Sequence, residues 1–265
     1  MPIPPAPQLD IGLARRLHQA LTAGSEELFQ LILDPAPEVL RALLKNPQLD
    51  EEHLLALLKR RDLSEDLLRT IGLKEREQSS HRLKLALVKN PATPGPVILG
   101  LLPHLHLFEL VTICFLPGVT PDQKVAAERN IIQRLPNLEL GHKITLARRA
   151  TSDVVAAILK EGTSPLMEPC LNSPRLKEVA VLQFLSGATA TAETISMIAR
   201  HPRWQSRPNL RLAILRNHRT PAIWFTLFLP KLRRPDLNNL LAGRRLTPAQ
   251  KQLVQDELQR RAGKN

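Results

Sequence analysis

The chain repeats itself, and that limits its possible folds more than any other feature. With a shift of 127 residues and no gap, residues 83–134 fall on residues 210–261. Leu83, Leu85, Ala86 and Asn90 match Leu210, Leu212, Ala213 and Asn217, and Thr93-Pro94 matches Thr220-Pro221. The register persists through Leu102-Pro103 and Leu229-Pro230, Leu105 and Leu232, Leu110 and Leu237. It holds again where Thr120-Pro121 and Gln123-Lys124 meet Thr247-Pro248 and Gln250-Lys251. Shared composition does not keep identities in one order over such a length, so the two stretches read as copies of one structural unit.

In each copy 27 residues separate one Thr-Pro from the next (Thr93 to Thr120, Thr220 to Thr247), the length of two short helices with tight connections. Threonine can cap an orphan amide, and proline at the first helical position has no N–H to waste, so each pair is expected to start a helix. Gln123 and Gln250, three residues after Thr120 and Thr247, complete a capping box. Ser164-Pro165 and Ser173-Pro174 carry the same start signal, and Thr151-Ser152-Asp153 supplies caps without the proline.

The apolar periodicity predicts helices near 10–23, 26–33, 37–45, 51–60, 65–71, 82–89, 94–102, 106–115, 121–135 and 138–149. Further helices are expected near 153–160, 165–171, 175–186, 191–200, 208–216, 221–229, 235–242 and 248–261. No strand pattern emerges, and runs such as Leu54-Leu55-Ala56-Leu57-Leu58 hold too many apolar residues for one narrow face, so neighbours must cover them on several sides. With 43% apolar but only 3% aromatic residues, the core must be built from Leu, Ile, Val and Ala. The expected fold is all-α, a right-handed α-solenoid of helical hairpins. Residues 1–9, with four prolines, form a mobile arm and 10–73 an N-terminal helical cap. Residues 74–81 form a polar linker or loop, and 82–262 the repeat body with Arg-rich C-terminal repeats.

Lys45-Asn46-Pro47, the run Leu85 to Pro94 and the run Leu212 to Pro221 resemble the repeats of bacterial HEAT-like proteins. They are similar in particular to the leucine-rich repeat variant group, whose units carry an apolar helix followed by an Asn-Pro-x-x-Pro style turn. The likeness spans most of residues 37–262 and implies a HEAT-like solenoid acting as a binding scaffold. The group's N-terminal cysteine cluster for iron and sulfur has no counterpart here, so the resemblance implies no cofactor. Recurring Asn46, Asn90 and Asn217 are expected to end helices, by a left-handed conformation or by bonding the turn backbone.

The net charge of +12 is concentrated. Residues 200–265 hold fifteen Lys and Arg against Asp236, Asp256 and Glu257, whereas the other 199 residues carry 22 charges of each sign. Twelve of the fifteen are arginine, whose planar fork suits phosphate and carboxylate oxygens. Arg200, Arg203, Arg207, Arg211, Arg216, Arg219, Lys231, Arg233, Arg234, Arg244 and Arg245 are therefore the candidate partner-binding residues. Lys84 and Arg211, Lys89 and Arg216, His104 and Lys231, and His106 and Arg233 occupy matched positions and are expected to face solvent. A solvated surface that merely keeps the chain soluble is the competing reading.

The expected function is a non-catalytic scaffold whose electropositive C-terminal surface docks an acidic protein or a nucleic acid, with no small-molecule substrate. Alternatives are a nucleic-acid-binding protein or a structural subunit of a larger assembly. Trp204, Trp224 and Asp236 could be cast as the aromatic and acidic residues of a HEAT-like DNA glycosylase, although the neighbouring motifs depart from that family. No phosphate-binding glycine loop, nucleophile elbow or zinc-protease helix occurs, so no catalytic residue is assigned. No metal site is expected either, because His104 and His106 cannot point along one helical face and no third ligand is evident nearby. Other histidines are expected in surface or capping roles. Cys114 and Cys170 read as buried, reduced thiols. Without a membrane-length apolar run or a secretory leader pattern, the expected location is the cytoplasm.

Overall fold

The computed structural model describes residues 11–78, 80–243 and 245–262. The segment expected as a mobile arm, residues 1–9, lies outside the described residues, as does Arg244. Among the described residues the protein is all helical, with nineteen α-helices and no strand. No helix there is long and apolar enough to cross a membrane.

The chain divides into two compact units, residues 1–131 and 132–265. The first contains α1 (Ile11–Thr22), α2 (Ser25–Leu31), α3 (Pro37–Leu43), α4 (Glu51–Leu57), α5 (Glu65–Gln78), α6 (His81–Lys89), α7 (Gly95–Leu101) and α8 (Leu107–Ile113). The boundary falls inside α9 (Pro121–Arg134). The second holds α10 (Leu140–Arg149), α11 (Ser152–Lys160), α12 (Ser164–Leu171), α13 (Glu178–Ser186), α14 (Ala192–Arg200), α15 (Pro202–Gln205), α16 (Pro208–Arg216), α17 (Ala222–Phe228), α18 (Arg234–Ala242) and α19 (Pro248–Ala262). Short 3₁₀ turns at Leu102–His104, Leu135–Asn137 and Leu229–Lys231 each contain a proline, which ends the preceding run of helix.

In both units a helix packs against the one two places further on. The first unit shows this for α1 with α3, α2 with α4, α3 with α5, α4 with α6 and α6 with α8. The second repeats it in α10 with α12, α11 with α13, α12 with α14, α14 with α16, α16 with α18 and α17 with α19. Helices such as α3, α4, α6 and α16 are thereby covered by more than one neighbour, which is what the crowded leucines require. Leu54, Leu57, Leu83, Leu87, Leu210, Ile214 and Leu215 are all buried, each contributing about 1.5–3 kcal/mol by leaving water. Cys114 and Cys170 are free and buried as expected, and desolvation pushes their thiols up to about 11 and about 12.

Asparagine side chains also tie three of the turns to the helix pair before them. The Asn90 amide donates to Leu58 O at 2.9 Å and Arg60 O at 2.7 Å, while its own oxygen accepts from the Ala92 amide at 3.0 Å. Asn46 does the same with Ala20 O, Ala23 O and the Gln48 amide, and Asn217 with Leu185 O and the Arg219 amide. The turn-bonding half of the expectation for these asparagines therefore stands. The left-handed half does not, since Asn90 and Asn217 have φ of −77° and −87°. Their side chains need an extended backbone to reach the earlier carbonyls.

The start signals meet expectation in part. Thr120 and Thr247 form full capping boxes: the Gln123 and Gln250 amides donate to the threonine hydroxyls at 3.3 and 3.2 Å, and the glutamine side chains accept from the threonine amides at 3.0 Å. Thr93 and Thr220 instead turn their hydroxyls back to Leu87 O and Ile214 O, leaving Pro94 and Pro221 as the capping residues of α7 and α17. Thr151 makes no side-chain cap bond, and Ser173-Pro174 opens a turn, with the next helix starting only at Glu178. Lys74 to Gln78, expected within a linker, complete α5, because that stretch contains neither Pro nor Gly to stop a helix. The periodicity also misses the four-residue α15, too short to show a period. Removing one cap, in Thr247→Ala, is expected to lower the free energy of unfolding by about 1 kcal/mol in urea titrations.

Candidate binding groove

Arg244 apart, the basic residues singled out in the sequence divide by what their side chains touch. Arg203, beside Trp204 in α15, donates to Ser173 O at 2.6 Å and Leu176 O at 3.0 Å, and its guanidinium lies 4.4 Å from the Trp204 ring centre. Arg219 donates to Ala188 O at 2.6 Å and Ala190 O at 2.9 Å. Arg60 and Arg261, outside the predicted set, bond backbone carbonyls of earlier turns in the same way, at Ile32 and Asp34 and at Leu229 and Leu232. These guanidiniums serve as internal ties, because one guanidinium carries enough N–H donors to satisfy two turn carbonyls at once.

Others are partly engaged. Arg211 Nε donates to Gln205 O at 2.7 Å, Arg233 pairs with Asp236 at 3.1 Å, and Arg207 stands 3.9 Å from Glu178. Arg200, Arg216, Lys231, Arg234 and Arg245 are exposed and have no ion-pair partner among the described residues. The matched pairs expected at the surface are exposed except Lys84 and Arg211, which are half-buried.

The C-terminal ends of α13 and α16 border a groove of about 680 Å³ within the second unit. Leu182, Leu185, Leu212 and Ala213 line its apolar part. Arg216, His218, Arg219 and Arg245 supply its charged and titratable lining, and no carboxylate of the described residues takes part. The helix ends favour cations here, since the C-terminus of a helix carries partial negative charge. Arg219 is held by its bonds to the turn after α13, which pre-sets one side of the groove.

Comparison of the chain with family models, curated proteins and solved structures gives no match. The site must therefore be read from its own chemistry.

Trp204 is buried, 2% exposed, and its indole N–H donates to Leu171 O at 3.0 Å, while the Trp224 indole donates to Ser196 Oγ at 2.9 Å. Asp236 is tied to Arg233. Trp204 has no open face on which a base could stack, so the role considered for it in a glycosylase has no geometric support. His201 fills the expected capping role, accepting from the Arg203 amide at 3.2 Å and lying 3.0 Å from Asn172 Oδ1. Burial, followed by the nearby Arg203 charge, lowers its pKa. His53 is fully buried, with Nε2 2.8 Å from Ser25 O and Nδ1 2.6 Å from Asp50.

The sequence shows no third ligand near the His104 and His106 pair, but the fold brings two other side chains to His106. His81 and Glu109 converge on it, because α6 packs against α8. A signal existed in the sequence: Ser25, His53, His81 and Glu109 stand at intervals of 28 residues.

Glu257 offers a pH test of the last helix. Burial acts to raise its pKa, but hydrogen bonds and charge from Arg260 and Arg261 outweigh that and hold it below the usual 4.5. A depressed carboxyl contributes stability above its ordinary pKa and loses it as pH falls through the folded value. The stability gap between the native chain and Glu257→Gln should thus be constant from neutral pH to about 5 and shrink below the ordinary pKa, read by urea unfolding at successive pH values.

Proposed function

We propose that this protein is a non-catalytic binding scaffold, a right-handed α-solenoid of HEAT-like hairpins that holds an acidic protein segment in the groove between α13 and α16. The observation that carries this reading is a groove with three arginines, an apolar floor and no carboxylate among the described residues. Alternating apolar and acidic side chains on a partner would match it, with Arg216 and Arg245 free to pair with carboxylates. The scaffold part of the reading draws on the second-neighbour packing within each unit and on the side-chain bonds that reach back to the preceding helix pair. Such arrays serve as platforms whose function resides in surface residues. The reading places the protein in the cytoplasm.

Nucleic acid is the second reading, since phosphates need little beyond arginine and lysine. The burial of Trp204 removes one of the few aromatic platforms near the patch and favours a protein partner. Titration of the full chain with a fluorescent peptide alternating Glu and Leu, and with duplex DNA, at low and moderate salt tests both. Saturable, salt-weakened peptide binding is expected. Tighter binding to DNA would transfer the site to nucleic acid, and no saturable binding of either would remove it.

A further inference from the structure

We propose that His81, His106 and Glu109 form a binding site for a single divalent ion of the zinc class. The three residues each offer a ligand atom, and all three atoms lie within 4.8 Å of one another. Ions of this class sit about 2.0–2.2 Å from nitrogen and oxygen, so tetrahedral ligand atoms lie about 3.4 Å apart, a spacing within that limit. His81 Nε2 is already 2.9 Å from both Glu109 oxygens, and the His81 and His106 ring centres are 4.0 Å apart.

Local structure holds the set in place. His81 is the first residue of α6, whose Ser80 cap accepts from the Leu83 amide. His106 precedes α8 and Glu109 is its third residue, with the Glu109 carboxylate also accepting from the His106 amide at 2.8 Å. That bond orients the carboxylate as an outer-sphere partner would. The position 28 residues earlier shows the contrast, since His53 is fully buried with both ring nitrogens engaged. The side chains of His81 and Glu109 keep 35% and 24% of their exposure, so an ion can enter from solvent.

The donor set selects the metal. Two imidazoles and one carboxylate suit zinc, cobalt or nickel better than magnesium or calcium, which prefer all-oxygen shells. Three protein ligands leave a fourth position for water or for a donor from a partner. Both helix starts carry partial positive charge, which one carboxylate only partly offsets, so affinity should be modest.

The test uses the tag-free full chain, Zn²⁺ alone and Co²⁺ alone. Calorimetry should give one equivalent of Zn²⁺, Co²⁺ should develop visible d–d absorption, and saturating Zn²⁺ should raise Tm by about 5 °C or more. His81→Ala, His106→Ala and Glu109→Gln should each weaken binding about tenfold or more, while His18→Ala and His142→Ala should leave it unchanged. Absence of one-to-one binding, or binding retained in the His81→Ala/His106→Ala double variant, overturns the site. Should a variant unfold, diethylpyrocarbonate footprinting of the native chain still decides. Zn²⁺ must protect His81 and His106 selectively, and protection at other histidines instead refutes the assignment.

Discussion

Asn90→Asp is expected to lower the free energy of unfolding at neutral pH by about 3 kcal/mol, although the two side chains are nearly the same size. The native amide donates two hydrogen bonds to Leu58 O and Arg60 O at a site that is 4% exposed. A carboxylate there faces two carbonyl oxygens as a third acceptor, losing both bonds and adding repulsion in a place water barely reaches. Only the bond from the Ala92 amide survives. The burial and the facing carbonyls raise the pKa of the new carboxyl, and a protonated acid can donate one bond again. The deficit should therefore narrow as pH falls because the variant regains a bond, whereas the gap at Glu257 narrows because the native chain loses its ion pairs. Urea unfolding from pH 7 to 4 measures both. Asn209→Asp, at an exposed position, should change stability by no more than about 0.5 kcal/mol. An equal loss at both positions would show that the buried bonds of Asn90 add nothing.

A second large effect separates the two jobs that arginine performs in the C-terminal unit. Arg216→Gln/Arg245→Gln should weaken binding of the acidic peptide about 30-fold at low salt, with the difference fading as salt rises, and should leave Tm unchanged. Both side chains are exposed, and neither has an ion-pair partner among the described residues. Arg203→Gln should do the reverse. It removes bonds from a charged donor to Ser173 O and Leu176 O and the stacking on Trp204, a loss of about 3 kcal/mol in stability, while binding by the folded fraction is preserved. If the double variant bound as tightly as the native chain, the groove would not be the docking site. If Arg203→Gln weakened binding without loss of stability, Arg203 would belong to the interface.

Much of the helical layout was legible in the chain. Proline, the Thr-x-x-Gln boxes and the spacing of leucines act within a few residues of themselves, so the starts of α9 and α19 follow directly from Thr120-Pro121 and Thr247-Pro248. The same signals misled at Thr93, Thr220 and Ser173, where the hydroxyl or the turn serves the preceding segment instead of the next helix. The candidate groove was legible only as an excess of charge. Nothing local distinguishes Arg203 and Arg219, which bond carbonyls about one helix pair upstream, from Arg216, which does not.

Sequence by itself determined that this protein is helical, where most of its helices begin, and that its net charge gathers in the last quarter. Those properties depend on short-range backbone preferences and on simple counts. Tertiary packing decided which arginines are consumed as ties, which remain around the groove, and that His81 meets His106 and Glu109 across α6 and α8. These outcomes need side chains far apart along the chain to come within bonding distance. Distance in space, unlike distance along the chain, is fixed only when the apolar faces of the helices have packed.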